Sequence, residues 1–417
     1  MADDLSAAGS SRDRSICGGG LYIEAGNWDA FPNVLNCRFW RNAAHTFGGG
    51  VMVNGESDAG VVPRFSNCRF DENLSLGNGG GLARFGGSWA ERGVDFERCA
   101  FADNRAQLGA DLYFSDTQGP NRVSLKGCSF ERNRASLKGG GTYFQTGKSG
   151  KSGLYIQNCD FKANYAKEGA AIDIFTNGND FDGEAIIDSC LFLKNASSIG
   201  GITSSIIYAD QFGTPQTLVK LSNSRLEGNN SASHIAFFSW LYSKVELERN
   251  LFYQDTSNKI LGVSIVSSVE ISSSIFSSNQ TIVLGIIDFQ GSVRYFNCVN
   301  CLFKKNRIPQ QLSDFNISTI NSVFFTNCTF TENNIPYFLG SGYNLSVISK
   351  NVLLSNENLM GFSNTNDYYF SHSLFEFAGQ DCSTLPPNVI CGPNNLFNLD
   401  PQFRDPANHD FTLLPCH

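Results

Sequence analysis

Apolar positions along this chain fall in short alternating runs, not in helical stripes. Stretches such as RVSLKGC, ending at Cys128, and GLYIQNC, ending at Cys159, alternate apolar and polar side chains over four to six positions. That period predicts β-strands with one face on a core, bounded by polar turns such as TQGPN and TGKSGKSG. No segment carries the 3.6-residue periodicity of an amphipathic helix, and none is apolar long enough to cross a membrane as a helix.

The alternation belongs to a repeat. Aligned on cysteine, the chain reads CRFWRN at Cys37, CRFDEN at Cys68, CAFADN at Cys99, CSFERN at Cys128, CDFKAN at Cys159 and CLFLKN at Cys190, with steps of 31, 31, 29, 31 and 31 residues. Past residue 200 the frame persists while the cysteine changes: SRLEGN at Ser224, NLFYQD at Asn250, SIFSSN at Ser274, CLFKKN at Cys301 and CTFTEN at Cys328. SLFEFA at Ser373 is a weaker copy without the Asn. After each early Asn comes a cluster of small residues and another apolar strand, as in GGGVMV at Gly48 and GAAIDIF at Gly169.

Three short strands and glycine-bearing corners in a period of about 30 residues fit one coil of a parallel β-helix. Its coils stack about 4.8 Å apart, so that equivalent positions form ladders. The expected fold is all-β, a single-stranded right-handed parallel β-helix of about 11–13 coils. A β-propeller or sandwich of similar period is the competitor, but a propeller blade needs a longer repeat. Residues two apart in a strand face the same side. Cys37, Cys68, Cys99, Cys128, Cys159 and Cys190 therefore point inward with Phe39, Phe70, Phe101, Phe130, Phe161 and Phe192. Asn42, Asn73, Asn104, Asn133, Asn164 and Asn195 fall at a corner, where stacked amides can bond backbone groups and one another. These cysteines are expected to be reduced, buried and unreactive, because an apolar environment raises a thiol's pKa.

Composition agrees with a packed chain: 41% hydrophobic and 17% charged, with 35 Phe and 41 Gly among 417 residues. A formal charge of −8 with no Lys/Arg block argues against nucleic acid and anionic membranes as partners. The domain expectation is a flexible tail over 1–15, the β-helix with its N-terminal cap over 16–380, and a capping segment over 381–417. In the last of these, Cys382, Cys391 and Cys416 offer disulfide pairings if the protein is exported.

Candidate chemistry is sparse. Asp180, Asp182, Glu184 and Asp188, in DFDGEAIID, form the densest acidic run and a weak Ca²⁺ candidate; the bland reading is a solvated loop between coils. GKSGKS at Gly147 lacks the first glycine of a phosphate-binding loop and has no helix after it. Cys298 and Cys301 make a lone CxxC without a second ligand pair. His45, His234, His372, His409 and His417 are dispersed and read as surface or turn residues. Sequons occur at Asn73, Asn195, Asn229, Asn279, Asn316, Asn327 and Asn344; the first four coincide with the corner ladder, which leaves Asn316 and Asn344 as the better glycan acceptors. Trp40, Trp89 and Trp240 are the exposed-aromatic candidates for sugar contact. No catalytic residue and no cofactor is expected.

The runs FERNRASLKGGGTYF and FKANYAKEGAAIDIF resemble the repeat of the chlamydial polymorphic membrane proteins and of related bacterial and protist β-helix proteins. The ending NLFNLDPQFRDPANHDFTLLPCH resembles the closing segment of many pectate-lyase-like β-helix proteins. The first resemblance implies a non-catalytic, surface-displayed adhesion module. The expectation is therefore an extracellular or cell-surface β-helix, with a carbohydrate or a cell-surface protein as partner. A polysaccharide lyase or hydrolase on the same scaffold, and an intracellular solenoid scaffold, are the alternatives.

Overall fold

The computed structural model describes residues 17–24, 29–55, 61–86, 92–116, 121–146, 149–177, 180–198, 204–212, 218–240, 243–264, 266–282, 285–290, 293–309, 313–316, 322–335, 338, 346–355, 362, 366–376, 381–399, 403–405 and 410–413. These residues contain strands and no helix. One coil shows the order: Val51–Gly55 lies in sheet 1, Arg64–Ser66 in sheet 2, Arg69–Asp71 in sheet 3 and the two-residue strand Leu74–Ser75 in a short fourth sheet. The next coil repeats this order and pairs in parallel with the first at every sheet. Sheet 1 has 11 strands, and sheets 2 and 3 have 14 each. Fourteen rungs at the spacing of paired strands make a solenoid roughly 60 Å long. Its last rungs, Val389–Cys391 and Leu396–Phe397, come from the segment beyond Asp381.

The inward ladders form one continuous core. In sheet 3 the rings of Phe39, Phe70, Phe101, Phe130, Phe161 and Phe192 stack at centroid separations of 4.6–5.1 Å, and Phe252, Phe276, Phe303 and Phe330 continue the column after Leu226. Each is buried, and burying one Phe side chain contributes about 1.5–3 kcal/mol.

Two tight corners flank sheet 3, and each turns on one residue in the left-handed region. Asn67 (φ 52°) precedes Cys68, and Glu72 (φ 55°) precedes Asn73. The same pair of sites recurs along the chain, as at Asn158 and Ala163. A non-glycine residue in this region costs about 1 kcal/mol. Coil-to-coil bonds offset it, for example from Asn67 N to Glu97 O at 3.0 Å and from Glu72 N to Ala102 O at 2.9 Å. The third corner is where glycine is required: at Gly79 (φ 67°) a Cβ would lie 2.4 Å from the Leu82 carbonyl oxygen.

The cysteine ladder sits at the first corner. Cys159 Sγ donates to its own Gln157 carbonyl at 3.3 Å and to Leu125 O of the coil before at 3.5 Å, and it accepts from Cys128 N at 3.3 Å. Ser224 fills the same role by donating to Ser222 O at 2.8 Å and accepting from Cys190 N at 3.1 Å. Asn250 does so again, accepting from Ser224 N and donating to Leu221 O. The position asks for a small side chain with one acceptor and one donor, hence Cys, Ser or Asn. Burial pushes the Cys68 thiol up to about 11; at Cys128 the bond with Cys159 and burial push it to about 12, and at Cys159 the bond with Cys128 opposes the shift while the bond with Cys190 and burial outweigh it, again to about 12. Cys37 departs from expectation: it is exposed, because it stands on the first rung of its ladder.

At the second corner, Asn73 Oδ1 accepts from both N and Nδ2 of Asn42 at 3.0 Å, and Asn73 Nδ2 donates to Phe39 O at 2.9 Å. Backbone-to-Oδ1 links of this kind join the corner continuously from Asn42 to Asn333. Sequon residues Asn73, Asn195, Asn229 and Asn279 are locked in this ladder and buried, so no glycan can attach there.

Candidate functional site

The acidic run predicted as a loop is a strand. Asp180–Asp188 lies in sheet 2 and pairs along its whole length with Ser149–Gln157, a strand that also absorbs the second half of GKSGKS. An alternating strand hides its turn-like composition, because Ala185 and Ile187 face the core while the acidic residues take the opposite parity. Of the four carboxylates, Glu184 is exposed and accepts from the Tyr155 hydroxyl at 3.2 Å. Asp188 is partly buried, which works against ionisation, yet bonds from Asn223, Ser222 and Ser189 hold it below the usual carboxylate range. The side chains of Asp180 and Asp182 lie outside the described residues. Among the described residues no three His, Cys, Asp or Glu side chains are grouped closely enough to hold a metal.

Ionisable groups converge elsewhere, on the outer face of sheet 1. The register aligns Tyr113, Tyr143, Asp173, Tyr208 and Phe237 in one column. Lys138 reaches over it, 2.6 Å from Glu168 and within 6 Å of the ring centres of Phe175 and Tyr208. Tyr208 donates to Asp210 at 3.0 Å. Asp173 is fully buried, and neither of its carboxylate oxygens has a hydrogen-bond partner. Burial pushes its carboxyl up to about 8, with Glu168 and Asp210 adding to the shift and Lys138 opposing it. Chemically this is a protonated carboxyl beside a cation and two phenols, a set suited to proton transfer. It is closed: Tyr143, Asp173 and Tyr208 are all buried.

Two coils on, His234 joins a second network. Its Nδ1 is 2.8 Å from Ser233 Oγ, its Nε2 is 3.4 Å from Asp288 Oδ2, and Lys259 also binds Asp288. A Cβ on the neighbouring Gly262 would lie 2.3 Å from the imidazole, so the glycine makes room for the ring. The expectation that His234 is a surface residue is wrong, because the outer face of sheet 1 is itself buried here. Burial lowers the imidazole's pKa, and the neutral ring bridges Ser233 and Asp288. His372 is exposed, as expected, and pairs with Asn394 at 2.9 Å; His45 is half-buried. His409 and His417 lie outside the described residues.

The outer face of sheet 3 is open by contrast. Its first rungs are charged: Trp40 is exposed, bonded to Glu72 at 3.3 Å and covered by the guanidiniums of Arg38 and Arg41. From Leu251 onward the register lines up Leu251, Ile275, Leu302, Thr329, Leu353, Leu374 and Leu396, an apolar stripe interrupted only at Thr329. A depression of about 310 Å³ opens on it, lined by Arg225, Leu251, Tyr253, Ile275, Ser277, Leu302 and Lys304. Around the Asn corner of the same coils lies a second, of about 400 Å³, where Gln280, Arg307 and Asn334 stand on successive rungs above Ile282, Ile308 and Pro309. Neither depression was legible in the sequence, since outward strand positions carry no repeat signature. The side chain of Trp240 and all of Trp89, Asn344 and Cys416 lie outside the described residues.

Of the remaining motifs, Cys301 is a ladder rung and Cys298 an inward position of sheet 2, with its sulfur 3.7 Å from that of Cys328. All three are buried, and burial pushes the Cys298 and Cys328 thiols up. Cys382 and Cys391 form a disulfide.

No protein-family model matches the chain, and no curated protein does. Among solved structures it is similar to a mannuronic acid specific polysaccharide family 6 lyase from human gut microbiota, at 10% identity and a TM-score of 0.41, covering 90% of this chain and 86% of that one. A PL6 family alginate lyase follows at 9% identity and a TM-score of 0.20, covering 91% and 97%.

Proposed function

We propose that this chain is a non-catalytic surface or extracellular β-helix serving adhesion or structural display, and that it holds carbohydrate on the outer flank of sheet 3. The observation that carries the reading is the contrast between faces. The groups best suited to acid–base work, Asp173, Tyr143, Tyr208 and His234, are buried, while the open depressions combine apolar floors with an aromatic, a guanidinium and amide rims. Such a surface suits a neutral or charged glycan laid along the rungs. A cell-surface protein is the other partner class for the same flank. The Cys382–Cys391 disulfide supports residence in an oxidising compartment. The repeats' resemblance to the chlamydial surface proteins agrees.

Binding of soluble polysaccharides, neutral and acidic, measured by calorimetry tests the reading. Tyr253→Ala or Arg307→Ala is expected to weaken binding about tenfold, the effect of removing one anchor worth somewhat over 1 kcal/mol. Absence of any binding would count against it, as would appearance of unsaturated sugar products. The latter would favour a second reading, a polysaccharide lyase, for which the specific observation is the Lys138, Asp173 and Tyr208 set. In that case Asp173→Asn would abolish product formation.

A further inference from the structure

Ten of the eleven corner rungs from Asn42 to Asn333 carry an amide, and the exception is Asp255. It occupies the rung fully. Asp255 Oδ1 accepts from Asn229 N at 2.8 Å and from Asn229 Nδ2 at 2.9 Å, and Asp255 N donates to Asn279 Oδ1 at 3.0 Å. The second oxygen is the anomaly. Where an asparagine stands, Nδ2 donates to a carbonyl one coil earlier, as Asn229 does to Phe192 O at 2.9 Å and Asn279 to Phe252 O at 3.0 Å. At Asp255 that place is taken by Oδ2, which is buried and has no hydrogen-bond partner. By register it faces the Leu226 carbonyl, and Asn279 Oδ1 lacks the second donor that an amide rung supplies. Two oxygens facing each other in a buried corner repel unless a proton lies between them.

We propose that Asp255 keeps its proton in the folded chain, acting as a neutral substitute for the amide, and that its ionisation weakens the stack between neighbouring coils as pH rises. The charged group facing it is Glu227, one coil earlier, which is paired with Arg225 at 2.7 Å. Its ladder neighbours, Asn229 and Asn279, are neutral. Burial raises the carboxyl to about 7; the Asn229 bonds and the Tyr253 backbone oppose the shift, and Glu227 adds to it. The folded value exceeds the ordinary one of 3.8, so the native state binds more protons than the unfolded chain between them. The stabilisation is complete below 3.8 and is lost as pH rises through about 7, the reverse of acid denaturation. One retained proton makes the unfolding constant rise up to tenfold per pH unit in that window.

Denaturant unfolding of the full chain and of Asp255→Asn from pH 4 to pH 8.5 tests this. Asp111 and Asp173 are buried carboxyls that also titrate upward, so the quantity to read is the difference between the two proteins. The ratio of their unfolding constants is expected to grow at least a hundredfold from the acid to the alkaline end, with the variant the more stable. A ratio that stays constant across the range overturns the proposal. In the reciprocal variant, Asn306→Asp, a new pH dependence of the same sign is expected. If that variant's unfolding follows the same pH profile as the unaltered protein, the proposal fails equally.

Discussion

The two corners that flank sheet 3 do the same geometric work with different tolerance. The first accepts Cys, Ser and Asn, and at Val352 even an apolar side chain. The second is Asn on every linked rung but one, and the exception must carry a proton to fit. The difference lies in bond count. At the first corner a side chain supplies one acceptor and one donor, and sulfur bonds at 3.3–3.5 Å suffice at Cys159. At the second, one oxygen must accept from two N–H groups while a nitrogen reaches both a carbonyl behind and an oxygen ahead. Among side chains of this length only the planar amide provides both.

The same contrast explains what could be read from the sequence. Side chains that repeat once per coil, such as Phe161 and Asn164, are visible as a period because every coil faces the same packing problem. The ladder, its burial and the reason for cysteine at these rungs follow from it. The outer face of sheet 1 escaped because alternation predicts that Tyr143, Asp173 and Tyr208 face solvent, whereas here those positions are covered. His234 looked isolated because its partner Asp288 is 54 residues away, two coils on. The stripe from Leu251 to Leu396 is spread over seven rungs, six of them apolar and the fourth Thr329, and no local window collects it.

The largest test of the comparison is Asn164→Ala. It strips the acceptor from Asn133 N and Nδ2 and the donor from Phe130 O, leaving buried groups unpaired. At about 1–3 kcal/mol for each orphaned group, a loss of about 3–5 kcal/mol is expected in denaturant unfolding. A loss under 1 kcal/mol would mean that the second corner is as tolerant as the first. Asn164→Ser sharpens the point by moving the first corner's chemistry to the second. One hydroxyl restores an acceptor without reaching both partners, so about 2 kcal/mol should be lost. The converse, Cys159→Ser, should cost no more than about 1 kcal/mol, since Ser224 shows a hydroxyl meeting both bonds of that rung.

The smallest effect is kinetic and separates rungs within one ladder. Cys37 is exposed, while Cys128 and Cys159 are buried with thiols pushed up to about 12. A thiolate is the reacting species, so buried and protonated sulfurs react only when the coil opens. With a water-soluble maleimide on the native protein, mass spectrometry should find Cys37 modified early and the two buried rungs unmodified until denaturant is added. Equal rates at Cys37 and Cys128 would show that the coils separate readily in solution. The bonds that distinguish the corners would then be too weak to govern which residues each accepts.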